Sequence, residues 1–148
     1  MNVHINSGSG ELVAEDHVFG PQLTESEFLN SSIGRTAKKV SSKGTRVYYD
    51  VWLSAGDGKE LGATLGFLPG NALERINLKV VPVEARNVPW SKETENEIKH
   101  FHDEWVLTEL GSGSHEFPWG TVLSTVEPHW NSAMVVIDYS RKHGGKPS

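Results

Sequence analysis

Apolar and polar residues alternate with a period of two along three consecutive stretches in the middle of the chain. In RVYYDVWLS, Val47, Tyr49, Val51 and Leu53 share one face, while Tyr48, Asp50 and Trp52 share the other. In ELGATLGFL, Leu61, Ala63, Leu65 and Phe67 alternate with Gly62, Thr64 and Gly66. In ERINLKVVPV, Ile76, Leu78 and Val80 alternate with Arg75, Asn77 and Lys79. Such strands bury one face and wet the other, the habit of an antiparallel meander. AGDGK reads as the first hairpin turn, its glycines supplying positive φ, and Pro69-Gly70 fits the centre of a type II turn. TVLSTVE (121–127) and SAMVVIDYS (132–140) read as two further strands joined by EPHWN, and ELVAEDHVF (11–19) as a first strand.

Two helices interrupt these strands. Thr24 and Glu27 form a capping box, with Leu23 and Phe28 at the staple positions, and Gly34 supplies a left-handed stop. The spacing predicts a helix over about 25–32. The longer helix is KETENEIKHFHDEWVLTEL, with Ser91 as N-cap and Gly111 as its stop. Ile98, Phe101, Trp105 and Leu110 form its apolar stripe, flanked by His102 and Val106. The expected fold is therefore α+β: a mainly antiparallel sheet of five or six strands with two helices on one face, in the order β-α-β-β-β-α-β-β. One domain spans 1–148, with fraying expected at 1–10 and 141–148.

Composition narrows the chemistry more than the fold. The 148 residues carry a net charge of −5, which argues against generic nucleic-acid binding. There is no cysteine, so disulfides, thiolate metal sites and a cysteine nucleophile are excluded. No apolar run is long enough to span a membrane, and MNVHINSGSG lacks the apolar core of a signal peptide. A cytoplasmic location is expected.

Candidate catalytic groupings fail on spacing. Glu97 and His100 have the Glu-x-x-His spacing of di-iron proteins, but that site needs a second copy and two more glutamates. His100 and His102 point about 200° apart on a helix, so no metal site is expected. A hydrolase would have to draw on His115, Glu116 and His129 in the loops flanking the last hairpin. Gly111-Ser112-Gly113-Ser114 follows a helix and is no nucleophile elbow, and AGDGKELG is no phosphate-binding loop. No cofactor is expected.

Charge and aromatic residues point instead to binding. Arg35, Lys38, Lys39, Lys43 and Arg46 form a basic loop with no intervening acid, lacking the aromatic interleaving of a nucleic-acid site. The long helix carries Glu93, Glu95, Glu97, Asp103, Glu104 and Glu109 against Lys92 and Lys99, a face able to steer towards a basic partner. Of the five tryptophans, Trp105 falls on the apolar helix stripe, whereas Trp119 and Trp130 sit beside turn residues as candidate interface anchors.

FLNSSIG, then WSKETENEIKHFHDEWVLTELG, then FPWGTVLSTVEPHWNSAMVVIDYS resemble a class of small bacterial single-domain immunity proteins. These are found beside toxin genes of contact-dependent or type VI systems. The resemblance covers mainly 90–140 and rests on structural motifs: the W-s-x-E-x-E helix, the Trp-Gly pair and the final hairpin ending in Tyr. It implies a non-enzymatic protein that binds and neutralises a cognate bacterial toxin domain, and it transfers no functional residue. If that toxin is a basic nuclease, Glu93, Glu97, Asp103 and Glu104 supply the steering charge and Trp119 and Trp130 the anchors. The alternative is a small-ligand or polysaccharide-binding module using Trp52 and Tyr48 on the open sheet face.

Overall fold

The computed structural model describes residues 1–68 and 71–140, without the side chains of 41–43 and 86–87. The Pro69-Gly70 turn and the basic tail at 141–148 lie outside the described residues.

The three alternating stretches form a meander: β5 (Arg46–Gly56), β6 (Lys59–Phe67) and β7 (Leu73–Pro82). They belong to a seven-stranded sheet that also contains β4 (Lys38–Lys43), β8 (Glu116–Phe117), β9 (Gly120–Glu127) and β10 (Ser132–Asp138), in the order β4-β5-β6-β7-β10-β9-β8. Asp57 and Gly58, with φ of 54° and 72°, close the first hairpin. A second sheet holds β1 (Val3–Ile5), β2 (Leu12–Ala14) and β3 (His17–Phe19) in sequential order. Every described strand pair is antiparallel.

Register puts Tyr49, Leu65, Ile76, Ile137 and Val122 in one row across five strands, all buried. On this dry face lie the small sheet, α1 (Glu25–Asn30), α2 (Ser32–Thr36) and α3 (Lys92–Leu110). Phe28 of α1 meets Tyr49 and Phe67 at 5.6 and 5.4 Å between ring centres. Trp105 of α3 joins the same core and donates its indole N–H to the carbonyl of Val3 at 3.0 Å. The expected α+β class and the placement of helices on one face agree with this architecture. The opposite face, bearing Tyr48, Asp50, Trp52, Thr64, Asn77 and Leu123, carries no helix among the described residues.

Several expectations need correction. Residues 1–10 contain a strand: Val3 and Ile5 are buried, and Ile5 gives its N–H to Glu109 at 2.9 Å. The segment 11–19 is two strands, because Glu15 takes a positive φ of 53° and turns the chain. Gly34 lies inside α2 and is no left-handed stop; α1 ends where Ser31 takes extended backbone, and the Ser31 hydroxyl caps α2 by accepting the N–H of Gly34 at 3.1 Å. A β-carbon at Gly34 would fall on the carbonyl oxygen of Phe28, which is why glycine stands there. The basic stretch 35–46 is largely the edge strand β4 and no loop, and β8 forms the other edge. The described residues thus hold ten strands in two sheets where five or six were expected, and a short 3-10 helix (Val83–Asn87) precedes α3.

Candidate partner interface

The position of α3 is fixed by a fork in the large sheet. β7 pairs with β10 from Arg75 to Leu78, and then the two strands part. Two side chains of α3, seven residues apart and so on one helical face, enter the opening. Glu95 accepts the N–H of Ala133 at 2.8 Å, and Nε2 of His102 accepts the N–H of Val80 at 3.0 Å. Lys79 reaches both oxygens of Glu95, at 2.8 and 3.0 Å, and donates to the Ser132 hydroxyl at 2.8 Å. Backbone groups that a ladder would have paired are thereby satisfied by side chains.

His102 is fully buried. Burial, seconded by the Lys79 ammonium, pushes its pKa down to about 4. A neutral ring is also what the geometry requires, since Nε2 must present a lone pair to Val80. The apolar stripe of α3 is rotated from the expected one: His102 and Val106 are buried at its centre, while Phe101 lies at the margin beneath the Lys59 ammonium, 5.2 Å from its ring centre.

With that face inward, Glu93, Glu97, Asp103 and Glu104 are exposed on the outside. They are not equally available. Asp103 takes Lys99 at 2.7 Å and Glu104 takes His100 at 2.9 Å, each one helical turn away. Partial burial works to raise the Asp103 pKa, but Lys99 and Ser124 together outweigh it and hold the carboxyl below its usual range. Glu93 and Glu97 have no such partner among the described residues, so their charge is the least offset of the four. Ser91 starts the helix by accepting the N–H of Thr94 at 3.1 Å, and Gly111 ends it with a φ of 80°.

The two anchor tryptophans separate. Trp130 is 78% exposed on the β9–β10 turn, where its N–H donates to Glu127 at 2.7 Å and Asn131 takes a positive φ. Because Ala133 is bonded to Glu95, this turn stands beside the start of α3, so Trp130 and the first acidic turns share one end of the molecule. Trp119 is only 8% exposed. It stacks on Phe117 with ring centres 4.7 Å apart and donates to the carbonyl of Ser7 at 2.8 Å. As a partner anchor Trp119 is corrected to a core residue, because the amino-terminal segment that covers it was read as frayed. Gly120 follows at a φ of 151°, where a β-carbon would strike the carbonyl of Asp138; the Trp-Gly pair is thus a packing motif.

The candidate hydrolase residues are kept apart. His115 and Glu116 precede the start of β9, whereas His129 follows its end and is held by Glu127 at 3.0 Å. An eight-residue strand separates them, about 25 Å at strand rise. No group of three metal-ligating side chains occurs among the described residues, and no described helix is long and apolar enough to cross a membrane.

On the open sheet face Trp52 is 52% exposed. Its ring lies across Gly62 of β6, where a β-carbon would come within 2.7 Å of the indole, and Tyr48 lies likewise across Gly66. Between them Asp50 accepts the Thr64 hydroxyl at 2.6 Å. Asp50 received no role from the sequence, although its place between Tyr48 and Trp52 was written in the alternation.

These features define an α+β protein built on mainly antiparallel sheets, with one face of the large sheet covered by helices and the other bearing none of the described helices. The same fold occurs in a chain of the solved complex described as "Rhs1-CT in complex with cognate immunity protein RhsI1", with a TM-score of 0.63 and 17% sequence identity over 95% of this chain and 90% of that chain. At that identity the likeness is one of fold. No protein-family profile matches the sequence, and no curated protein matches it.

Proposed function

We propose that this protein is a non-enzymatic immunity-type protein that binds a bacterial toxin domain in the cytoplasm and neutralises it. The observation that carries the reading is the near-complete fold likeness to a chain of a toxin–immunity complex. The immunity-like sequence motifs over 90–140 support it independently. The interface is assigned to the outer face of α3, with Glu93 and Glu97 as the principal charges, Asp103 and Glu104 as secondary ones, and Trp130 as the anchor. A basic nuclease domain is the toxin such a face suits, since an acidic surface accelerates encounter with a basic one.

Affinity capture of the tagged protein from its native cells, read by mass spectrometry, tests this. The expected result is one stoichiometric partner carrying a toxin domain whose activity is lost in the complex. A clean capture without such a partner overturns the reading.

A further inference from the structure

Buried and exposed tryptophans use their indoles differently in this chain. Trp105 and Trp119 are buried, and each spends its indole N–H on a backbone carbonyl, that of Val3 or of Ser7. Trp90 and Trp130 are 58% and 78% exposed, and neither indole N–H makes a hydrogen bond among the described residues. Both stand on pinned backbone. Trp90 lies between Pro89 and the Ser91 cap, whose hydroxyl accepts the Thr94 N–H at 3.1 Å. Trp130 is held by its own N–H on Glu127 at 2.7 Å and by the turn at Asn131. A large side chain on fixed backbone loses little freedom when it is bound, which suits it to anchor a partner. Trp90 received no role from the sequence.

The two indoles belong to one end of the molecule. Trp90 immediately precedes the cap of α3, and Trp130 sits three residues before Ala133, whose N–H is bonded to Glu95 in the first turn of that helix. The charged residues over 88–97 and 127–133 are Lys92, Glu93, Glu95, Glu97 and Glu127, and Lys79 reaches in to pair with Glu95. Two positive charges thus stand against four negative ones, and the helix dipole offsets only about half a charge of the difference. A cation is drawn to such an end and to the face of an indole. A guanidinium suits it best, because it stacks on the ring while its N–H fork meets a carboxylate. We propose that Trp90 and Trp130 are paired anchors for an arginine-bearing segment of the toxin domain, centring the interface on the amino-terminal end of α3. The proposal rests on the immunity reading for the identity of that partner.

The site is tested with N-acetyl-hexaarginine amide titrated into the ¹⁵N-labelled protein. Saturable shifts are expected at the Trp90 and Trp130 indole N–H signals, with those of Trp105 and Trp119 unmoved. The hexacitrulline analogue, of similar shape but uncharged, should produce less than about a tenth of the effect. Replacing Glu93 and Glu97 together by glutamine should weaken probe binding about fivefold or more. Against a captured toxin, Trp90→Ala and Trp130→Ala should each raise the dissociation rate about tenfold or more. Leu123→Ala, 59% exposed on the sheet face away from α3, should leave that rate unchanged. Equal shifts from hexacitrulline, movement of only one of the two indoles, or equal effects of Leu123→Ala and Trp90→Ala overturn the proposal. A captured toxin that leaves Trp90→Ala as slowly as wild type overturns the paired anchor and leaves the immunity reading standing. Probe binding at both indoles with no toxin recovered overturns the immunity reading, and with it the toxin as the source of the arginine.

Discussion

His102 spends its one lone-pair nitrogen on the N–H of Val80, and a second proton on the ring would set two N–H groups against each other. An unfolded histidine titrates near 6.5, whereas burial holds the folded one at about 4. Between those values the unfolded chain takes up a proton that the folded chain refuses, so stability falls as pH falls through that window. The difference corresponds to about 3 kcal/mol at most. Urea unfolding of wild type and His102→Gln, from pH 7 to 4, should show a steeper decline for wild type, because the amide accepts from Val80 without titrating. Parallel curves would mean that His102 carries no such linkage. Gly34 makes a similarly local demand. Gly34→Ala should destabilise by about 3 kcal/mol or more, measurable as a lower urea midpoint, since the clash is with backbone.

At the scale of elements, what could be read in advance follows from how local the deciding interaction is. The capping box of α1 lies within four residues, with Thr24 and Glu27 exchanging bonds at 3.0 and 3.1 Å, and so it was legible. So were the Ser91 cap, the Gly111 stop and the meander, whose alternation is internal to each strand. β1 was not. Val-His-Ile between polar residues is too short to show a period, and partners distant in sequence hold it: Glu109, Trp105, and Ala55, which accepts the Asn2 N–H at 2.8 Å. β4 was hidden by its lysines, which suit an exposed sheet edge as well as a loop. Losing β1 also misplaced Trp119, whose exposure depends on whether Ser7 and Gly10 are ordered above it. Ile5→Ala should therefore cost about 3 kcal/mol, whereas a frayed terminus would leave the unfolding midpoint where it was.

At the scale of the whole molecule, charge is divided by the sheet. α3, with its acidic outer side, packs on β7, β10 and β9, while Lys38 and Lys39 occupy the opposite edge on β4. Reversing Glu93 and Glu97 together to lysine should slow association with a basic toxin by about tenfold at low salt, with little change in dissociation. Stopped-flow rates at two ionic strengths check this, and an unchanged association rate would remove that face from the interface. Trp130→Ala should act instead on dissociation, by about 2 kcal/mol if it is an anchor.

The fork between β7 and β10 has a consequence in time. β10 lies in the interior of the large sheet, between β7 and β9, yet it is the last described element to be made. While a ribosome synthesises the more than fifty residues from the end of β7 to the end of β10, the flank of the meander stands without its neighbour. Until then His102 can meet Val80, but Glu95 has Lys79 without the N–H of Ala133. Closure of the sheet and seating of the helix are therefore a single late event. The acidic side of α3 and the Trp130 turn come together only once β10 has joined β7.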